Sequence, residues 1–181
     1  MKAAYADPPY KGSAKKHYAR LHDQAADYDT LEAHKDLIER LCSEFDGWAL
    51  SMSSTNLRET LPLCPEGVRI GAWVKPFAVF KNVDPAYCWE PVIFSGIRKR
   101  GRSLDYRTKR DWVSSNITLK RNTPGAKPDA FCWWVFDFLG LQPEDEFHDL
   151  FPGSGAVSRA WEHYRRCLHK EPLFAGLGEI A

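Results

Sequence analysis

Pro8 and Pro9 close off a short apolar run, Ala3 to Ala6, within ten residues of the chain start. This constrains the fold more than any other stretch. Proline has no N–H to give to a sheet ladder, so a strand over Ala3 to Ala6 must stop at Asp7. A run that short and that uniformly apolar fits a buried strand. In an open α/β sheet such a strand presents its last residues to the carboxyl edge, where ligands bind. Asp7 and Tyr10 are thereby expected at that edge. A plain Pro-Pro turn at a strand end accounts for the same residues, so the rest of the chain has to decide.

The chain has 181 residues, enough for one well-buried domain and few for two. Thr30 is expected to cap a helix bearing Leu31, Leu37, Ile38, Leu41 and Phe45, with Gly47 ending it. Trp48 to Met52, Val68 to Val74, Pro91 to Ile97 and Phe147 to Phe151 have strand character, and Ser53 to Leu61 that of a short helix. A helix from Pro128 carries Phe131, Val135, Phe138 and Leu139 up to Gly140, and another spans Ala156 to Leu168. Strands alternating with helices indicate an α/β sheet. Between the first strand and the first helix, Lys11 to Asp29 shows no period and reads as a long loop over the site.

No apolar stretch approaches the ~20 residues of a membrane span, and Asp7 with the two prolines interrupts any secretory core, so a cytoplasmic protein is expected. The five cysteines are widely spaced with no CxxC pair, the pattern of reduced thiols, and no metal site is expected. The net charge of +1 hides an asymmetry: Arg98 to Arg121 holds nine basic residues against Asp105 and Asp111. Such a local excess suits a polyanion partner, although a solvated loop has the same composition.

Near the other end, EFHDLFPGSGAVSRAWE (Glu146 to Glu162) reads as a strand, a glycine turn and a helix. Gly153 and Gly155 let the backbone approach a ligand closely, and the free N–H groups of the following helix add donors. The turn has no Lys-Ser or Lys-Thr after its glycines and no third glycine, so it is neither a P-loop nor a dinucleotide fingerprint.

DPPY followed far downstream by DLFPGSG resembles the amino-group methyltransferases that use S-adenosylmethionine, in the permuted order where the catalytic motif precedes the cofactor motif. Lys127-Pro128 looks like a further cofactor-side motif of that group. EPVIFSG, Glu90 to Gly96, is similar to the EPV or EHxLxG strand of permuted adenine methyltransferases, the MT-A70-like branch included. The resemblance implies a Rossmann-like α/β methyltransferase fold in one domain over residues 1–181, whose sheet sets Ala3 to Ala6 beside His148 to Leu150. It implies S-adenosylmethionine as cofactor, held by Asp149, Phe151, Pro152, Gly153, Ser154, Gly155, Lys127 and Pro128, with Phe151 against the adenosine and Lys127-Pro128 toward the methionine end. Glu162, Glu171 and Glu179 are candidates for the ribose hydroxyls.

The implied chemistry suits the first motif. An exocyclic amine is a poor nucleophile because its lone pair is delocalised into the ring. The Asp7 carboxylate and the Pro8 carbonyl can accept its two hydrogens and aim the lone pair, Pro9 stiffens them, and Tyr10 offers a stacking face. The expected activity is methylation of adenine N6 in DNA, in a duplex with the base flipped out or in a single strand. Cytosine N4, RNA adenine, and a non-catalytic nucleic-acid-binding subunit are the alternatives. Lys15, Lys16, Arg98, Lys99, Arg100, Arg102 and Arg107 are the expected phosphate contacts, with residues 98–121 as a minimal recognition region and relaxed sequence choice unless a second protomer or a partner subunit reads bases. Trp112 can stack or wedge, whereas Trp133 and Trp134 are expected in the core.

Overall fold

The computed structural model describes residues 1–9, 30–76, 84–99, 108–117 and 126–169. Six strands form one sheet: β1 Lys2–Ala6, β2 Gly47–Ser51, β3 Arg69–Val74, β4 Trp89–Ser95, β5 Trp112–Ser114 and β6 Glu146–Asp149. Their order across the sheet is β5-β3-β4-β2-β1-β6. β1 runs parallel to both β2 and β6, β4 is antiparallel to β2 and β3, and β5 is parallel to β3. The first strand thus lies between two parallel neighbours, and its register sets Tyr5 opposite Asp149 and Ala6 opposite Leu50. The expected pairing of the two motif strands is the one found.

The helices are α1 Leu31–Glu44, a single turn α2 Leu57–Thr60, α3 Asp129–Leu139 and α4 Ala156–His169. Side chains alternate along a strand, so β1 feeds two cores at once. Ala4 and Ala6 join Leu37, Ile38 and Leu41 of α1, while Ala3 and Tyr5 join Phe131, Val135 and Phe136 of α3 and Trp161 and Tyr164 of α4. Burial on both faces explains why the strand is written in apolar residues throughout. Among the described residues no helix is long and apolar enough to cross a membrane.

The local signals place the helix ends well. The Thr30 hydroxyl accepts from the Ala33 amide at 3.2 Å, and Gly140 closes α3 in the left-handed region at φ 78°. Other expectations are corrected. Leu31 is exposed rather than part of the α1 core face, and Gly47 opens β2 instead of ending the helix, which stops at Glu44. A Cβ at Gly47 would press on the Met1 side chain and the Gly96 carbonyl, so close packing of the sheet, not helix termination, calls for glycine there. β4 starts at Trp89 and stops at Ser95, because Gly96 turns at φ 63° against Asp46. β6 ends at Asp149, leaving Phe151 beyond the strand. β5 lies inside the basic segment, where no strand was expected.

The amino edge of β1 and β6 is clamped by charge. The Met1 ammonium pairs with Asp145, Arg98 reaches the same carboxylate at 2.6 Å, and the Gln142 amide donates to it at 2.6 Å. Arg98 also donates to the Gly140 carbonyl at 3.2 Å. Burial pushes the Asp145 carboxyl upward, but these donors outweigh it and hold the acid below its usual range.

Candidate active site

The carboxyl edge of the same strands carries a second charge cluster. Asp7 leaves β1 at this edge with Pro8 buried behind it. Lys127, whose side chain is only 7% exposed, lies 3.2 Å from Asp7 and 3.3 Å from Glu90. Glu90 pairs in turn with Lys75, which follows β3. Four charges in a row thus alternate in sign: Asp7, Lys127, Glu90, Lys75. The ring of Trp73 lies beneath both lysines, 5.0 Å from the Lys127 nitrogen and 4.7 Å from that of Lys75, and Phe131 is 5.4 Å from Lys127. Such faces attract an ammonium without consuming its N–H groups.

Burial and pairing pull these groups in different directions. Burial raises Asp7 above its ordinary value; Lys127 opposes this but does not cancel it. For Glu90 burial also acts upward, yet Lys127 and Lys75 prevail and the acid is lowered. Burial disfavours the Lys127 ammonium, but Asp7, Tyr5 and Glu90 hold it charged well above its ordinary value. The weakly held acid of the cluster is therefore Asp7.

Next to it, β6 delivers Asp149. One carboxylate oxygen, Oδ2, accepts the Ser158 hydroxyl of α4 at 3.0 Å, while Oδ1 is buried with no hydrogen-bond partner. Burial raises the Asp149 carboxyl; the Ser158 hydroxyl and the Phe151 amide oppose it, and the Asp7 charge adds to the rise. The chain then turns through Phe151 and Pro152 to Gly153 at φ 44° and Gly155 at φ 69°. A Cβ at Gly153 would meet nothing nearer than the Phe151 carbonyl at 3.8 Å, so backbone conformation and open space define that position. Ser154 accepts from Arg159 through its carbonyl, and Gly155 accepts the Arg159 amide at 3.1 Å, opening α4 toward the turn.

The structure brings together Asp7, Pro8, Pro9, Lys127 and Pro128 with Asp149 and the turn from Phe151 to Gly155 at one edge of the sheet. Tyr10, Lys15, Lys16, Arg100, Arg102 and Arg107 lie outside the described residues, as do the 11–29 loop, Glu171 and Glu179. Glu162 is exposed on α4. Arg98, expected to contact phosphate, sits at the amino edge because β4 runs opposite to β1, and engages Asp145 there. Lys99 follows it there, exposed. Trp112 is 43% exposed with the Arg110 guanidinium 5.2 Å from its ring centre, while Trp134 packs on Phe94 and Phe138. Among the described residues no group of three or more His, Cys, Asp or Glu is arranged to hold a metal ion.

Glu90, Lys75 and Trp73 belong to the cluster although the motif reading did not single them out as site residues. Glu90 is marked as the acid that heads the EPVIFSG strand. Lys75 and Trp73 carry none, because only strand pairing brings them in.

No protein-family model matches this chain, and no curated protein matches it. Among solved structures it is similar to M1.HpyAVI in complex with SAM, with a TM-score of 0.58 and 17% identity over 91% of this chain and 78% of that one. A structure of M1.HpyAVI that does not name SAM gives a TM-score of 0.56 and 17% identity, covering 91% and 77% of the two chains. At this identity the likeness is one of fold, and the α/β architecture expected from the sequence is the one these structures share.

Proposed function

We propose that this chain is an S-adenosylmethionine-dependent methyltransferase that modifies the N6 amine of adenine in DNA. The observation that carries the reading is the pairing of β1 with β6, which sets the DPPY aspartate beside the aspartate that leads into the glycine turn. Two motifs from opposite ends of the sequence thereby face one edge, as a transfer between two bound molecules requires. A fold shared with a protein solved in complex with SAM supports the same reading.

The residues fit the cofactor. The orphaned Asp149 Oδ1 is a buried acceptor awaiting a donor or a cation, and S-adenosylmethionine carries both an ammonium and hydroxyls. Gly153 leaves open space in the turn before the donor-rich start of α4, and the Arg159 guanidinium lies beside Gly155. Lys127, held charged, suits the carboxylate of the methionine end. The cofactor supplies an electrophilic methyl on a sulfonium, and the leaving sulfur keeps the bonding electrons as a thioether.

The chain's own part is orientation. Asp7 and the Pro8 carbonyl accept the two amine hydrogens, which turns the lone pair out of conjugation and stabilises the positive charge that grows on nitrogen. Asp7 does this only as a carboxylate, so Lys127 must hold it ionised against its burial. The new bond to nitrogen leaves an acidic ammonium, which releases its proton without a strong base. Lys15, Lys16, Lys99, Arg100, Arg102 and Arg107 remain the proposed phosphate contacts. Arg98 is withdrawn from that set.

The test is to incubate the protein with methyl-labelled S-adenosylmethionine and unmodified DNA or RNA and to identify the product nucleoside by mass. N6-methyladenine in DNA is the expected product. N4-methylcytosine, or label in RNA alone, would reassign the substrate, and no label in any nucleic acid would remove the enzymatic reading.

A further inference from the structure

We propose that Trp73 is a positioning residue of this site, fixing the Lys127 ammonium against Asp7 and tying that pair to the edge strand β5. The proposal rests on the methyltransferase reading for what the pair does to a substrate, and on geometry alone for the coupling itself.

Trp73 is 3% exposed and lies on β3 between β4 and β5. Its ring packs 4.9 Å from Phe131, and the two rings lie 5.0 and 5.4 Å from the Lys127 ammonium. The ammonium is therefore held by two carboxylates and two rings. Packing alone would be served by any large apolar side chain. The indole does more, because its N–H donates to both the carbonyl and the hydroxyl of Ser115, each at 2.9 Å. Ser115 is itself fixed, since its amide donates to the Val74 carbonyl at 3.1 Å just past β5. That anchor sets the rotation of the ring, and the ring sets where Lys127 can sit. A displacement of β5, which belongs to the basic segment, is thereby passed to Asp7 through one rigid side chain.

Asp7 reports this arrangement. The charged groups facing it are Lys127 before α3, Glu90 on β4, Lys75 after β3 and Asp149 on β6. Changing Trp73 leaves all four in the sequence and alters how firmly the two lysines over its ring, Lys127 first and Lys75 with it, are placed. With Lys127 loosened, the burial of Asp7 is less well opposed and its carboxyl titrates at higher pH.

The experiment is an NMR titration of 13C-labelled aspartate carboxyls in the full chain, comparing wild type with Trp73→Phe, Trp73→Leu and Ser115→Pro. Trp73→Leu should move the Asp7 midpoint upward by about half a unit or more, within the range an opposite charge commands. Trp73→Phe, which keeps a ring but not the N–H, should fall between it and wild type. Ser115→Pro, at a half-buried position, removes both the amide bonded to Val74 and the hydroxyl bonded to the indole; it should also shift Asp7 upward and keeps the test available if Trp73→Leu fails to fold. Asp145, at the other edge, should not move in any of them. Lower melting temperature with an unmoved Asp7 midpoint in the folded variants would make Trp73 a packing residue and overturn the proposal. In turnover assays the acidic limb should follow the NMR midpoint, the signature expected of a residue acting through Asp7. An inactive wild type would count against the methyltransferase reading, whereas the NMR shift would still decide the coupling.

Discussion

Both edges of the sheet bury carboxylates against cations, and they use them differently. At the amino edge Asp145 is saturated: the Met1 ammonium, Arg98 and the Gln142 amide fill its oxygens, and it is held below its ordinary range. At the carboxyl edge two acids are left short. Asp7 shares Lys127 with Glu90, Asp149 has a bare oxygen, and both acids are raised. A saturated cluster contributes to folding and has nothing to offer a ligand. An under-satisfied one sits in the fold at a cost that a ligand can relieve, which is why raised acids at a strand edge point to function.

The comparison breaks most sharply at Asp7. Asp7→Ala should lower kcat by about 10²–10³-fold, the usual consequence of deleting one group aimed at developing charge, while calorimetry finds cofactor affinity little changed. In wild type the pH profile should lose activity as pH falls through a midpoint above the ordinary carboxylate value, since in the proposed role Asp7 works only when ionised and its carboxyl is raised. Full turnover in the variant would remove Asp7 from the chemistry.

Asp145→Asn tests the other edge. Breaking a buried pair strands its cations, so denaturant unfolding should show a loss of about 3 kcal/mol. Because the folded-state acid is lowered, its contribution is complete above the unfolded-state value and is lost as pH falls through the folded one. The variant's stability deficit should therefore shrink in strongly acidic solution. A deficit independent of pH would show that Asp145 stabilises by packing alone.

Gly153→Val sharpens the proposed cofactor half of the carboxyl edge. A β-branched residue at φ 44° is strained by about 1–2 kcal/mol and projects into open space. The folded variant should bind S-adenosylmethionine at least about tenfold more weakly, which is ~1.4 kcal/mol. Unchanged affinity would place the cofactor elsewhere.

The smallest expected effect separates Arg98 from Lys99. Arg98→Met should reduce stability by about 1.5 kcal/mol through the lost bonds to Asp145 and Gly140, and leave the salt dependence of DNA binding as in wild type. Lys99→Met should leave stability unchanged; if Lys99 meets a phosphate, the slope of log affinity against log salt falls by about 0.9. A shallower slope for Arg98→Met would return that residue to the nucleic-acid surface.

What was legible in the sequence was local. The Pro8-Pro9 stop, the Thr30 cap and the Gly140 cap each act within a few residues, so β1, α1 and α3 could be placed from the chain alone. Asp7 was legible for the same reason, as the residue at which an apolar strand must end; Asp149 was named only through the resemblance carried by DLFPGSG, on a strand expected to run on to Phe151. β5 was not legible, because three residues amid arginines and lysines become a strand only by pairing with Ala72 to Val74. The place of Arg98 was not legible either, because the antiparallel direction of β4 carries it to the far edge, where it pairs with Asp145. Lys75 and Trp73 join the site through the register of β3 on β4, which no local signal announces.

The central claim is that one edge acts and the other holds, and Asp7→Asn set beside Asp145→Asn tests it in a single measurement pair: the single-turnover methyl-transfer rate at low temperature and the melting temperature. The account predicts a crossing, in which Asp7→Asn loses most of the rate with its melting temperature retained, while Asp145→Asn melts several degrees earlier with its rate retained. If both variants lose rate and stability together, or if Asp7→Asn transfers methyl groups as fast as wild type, the division of labour between the two edges is wrong.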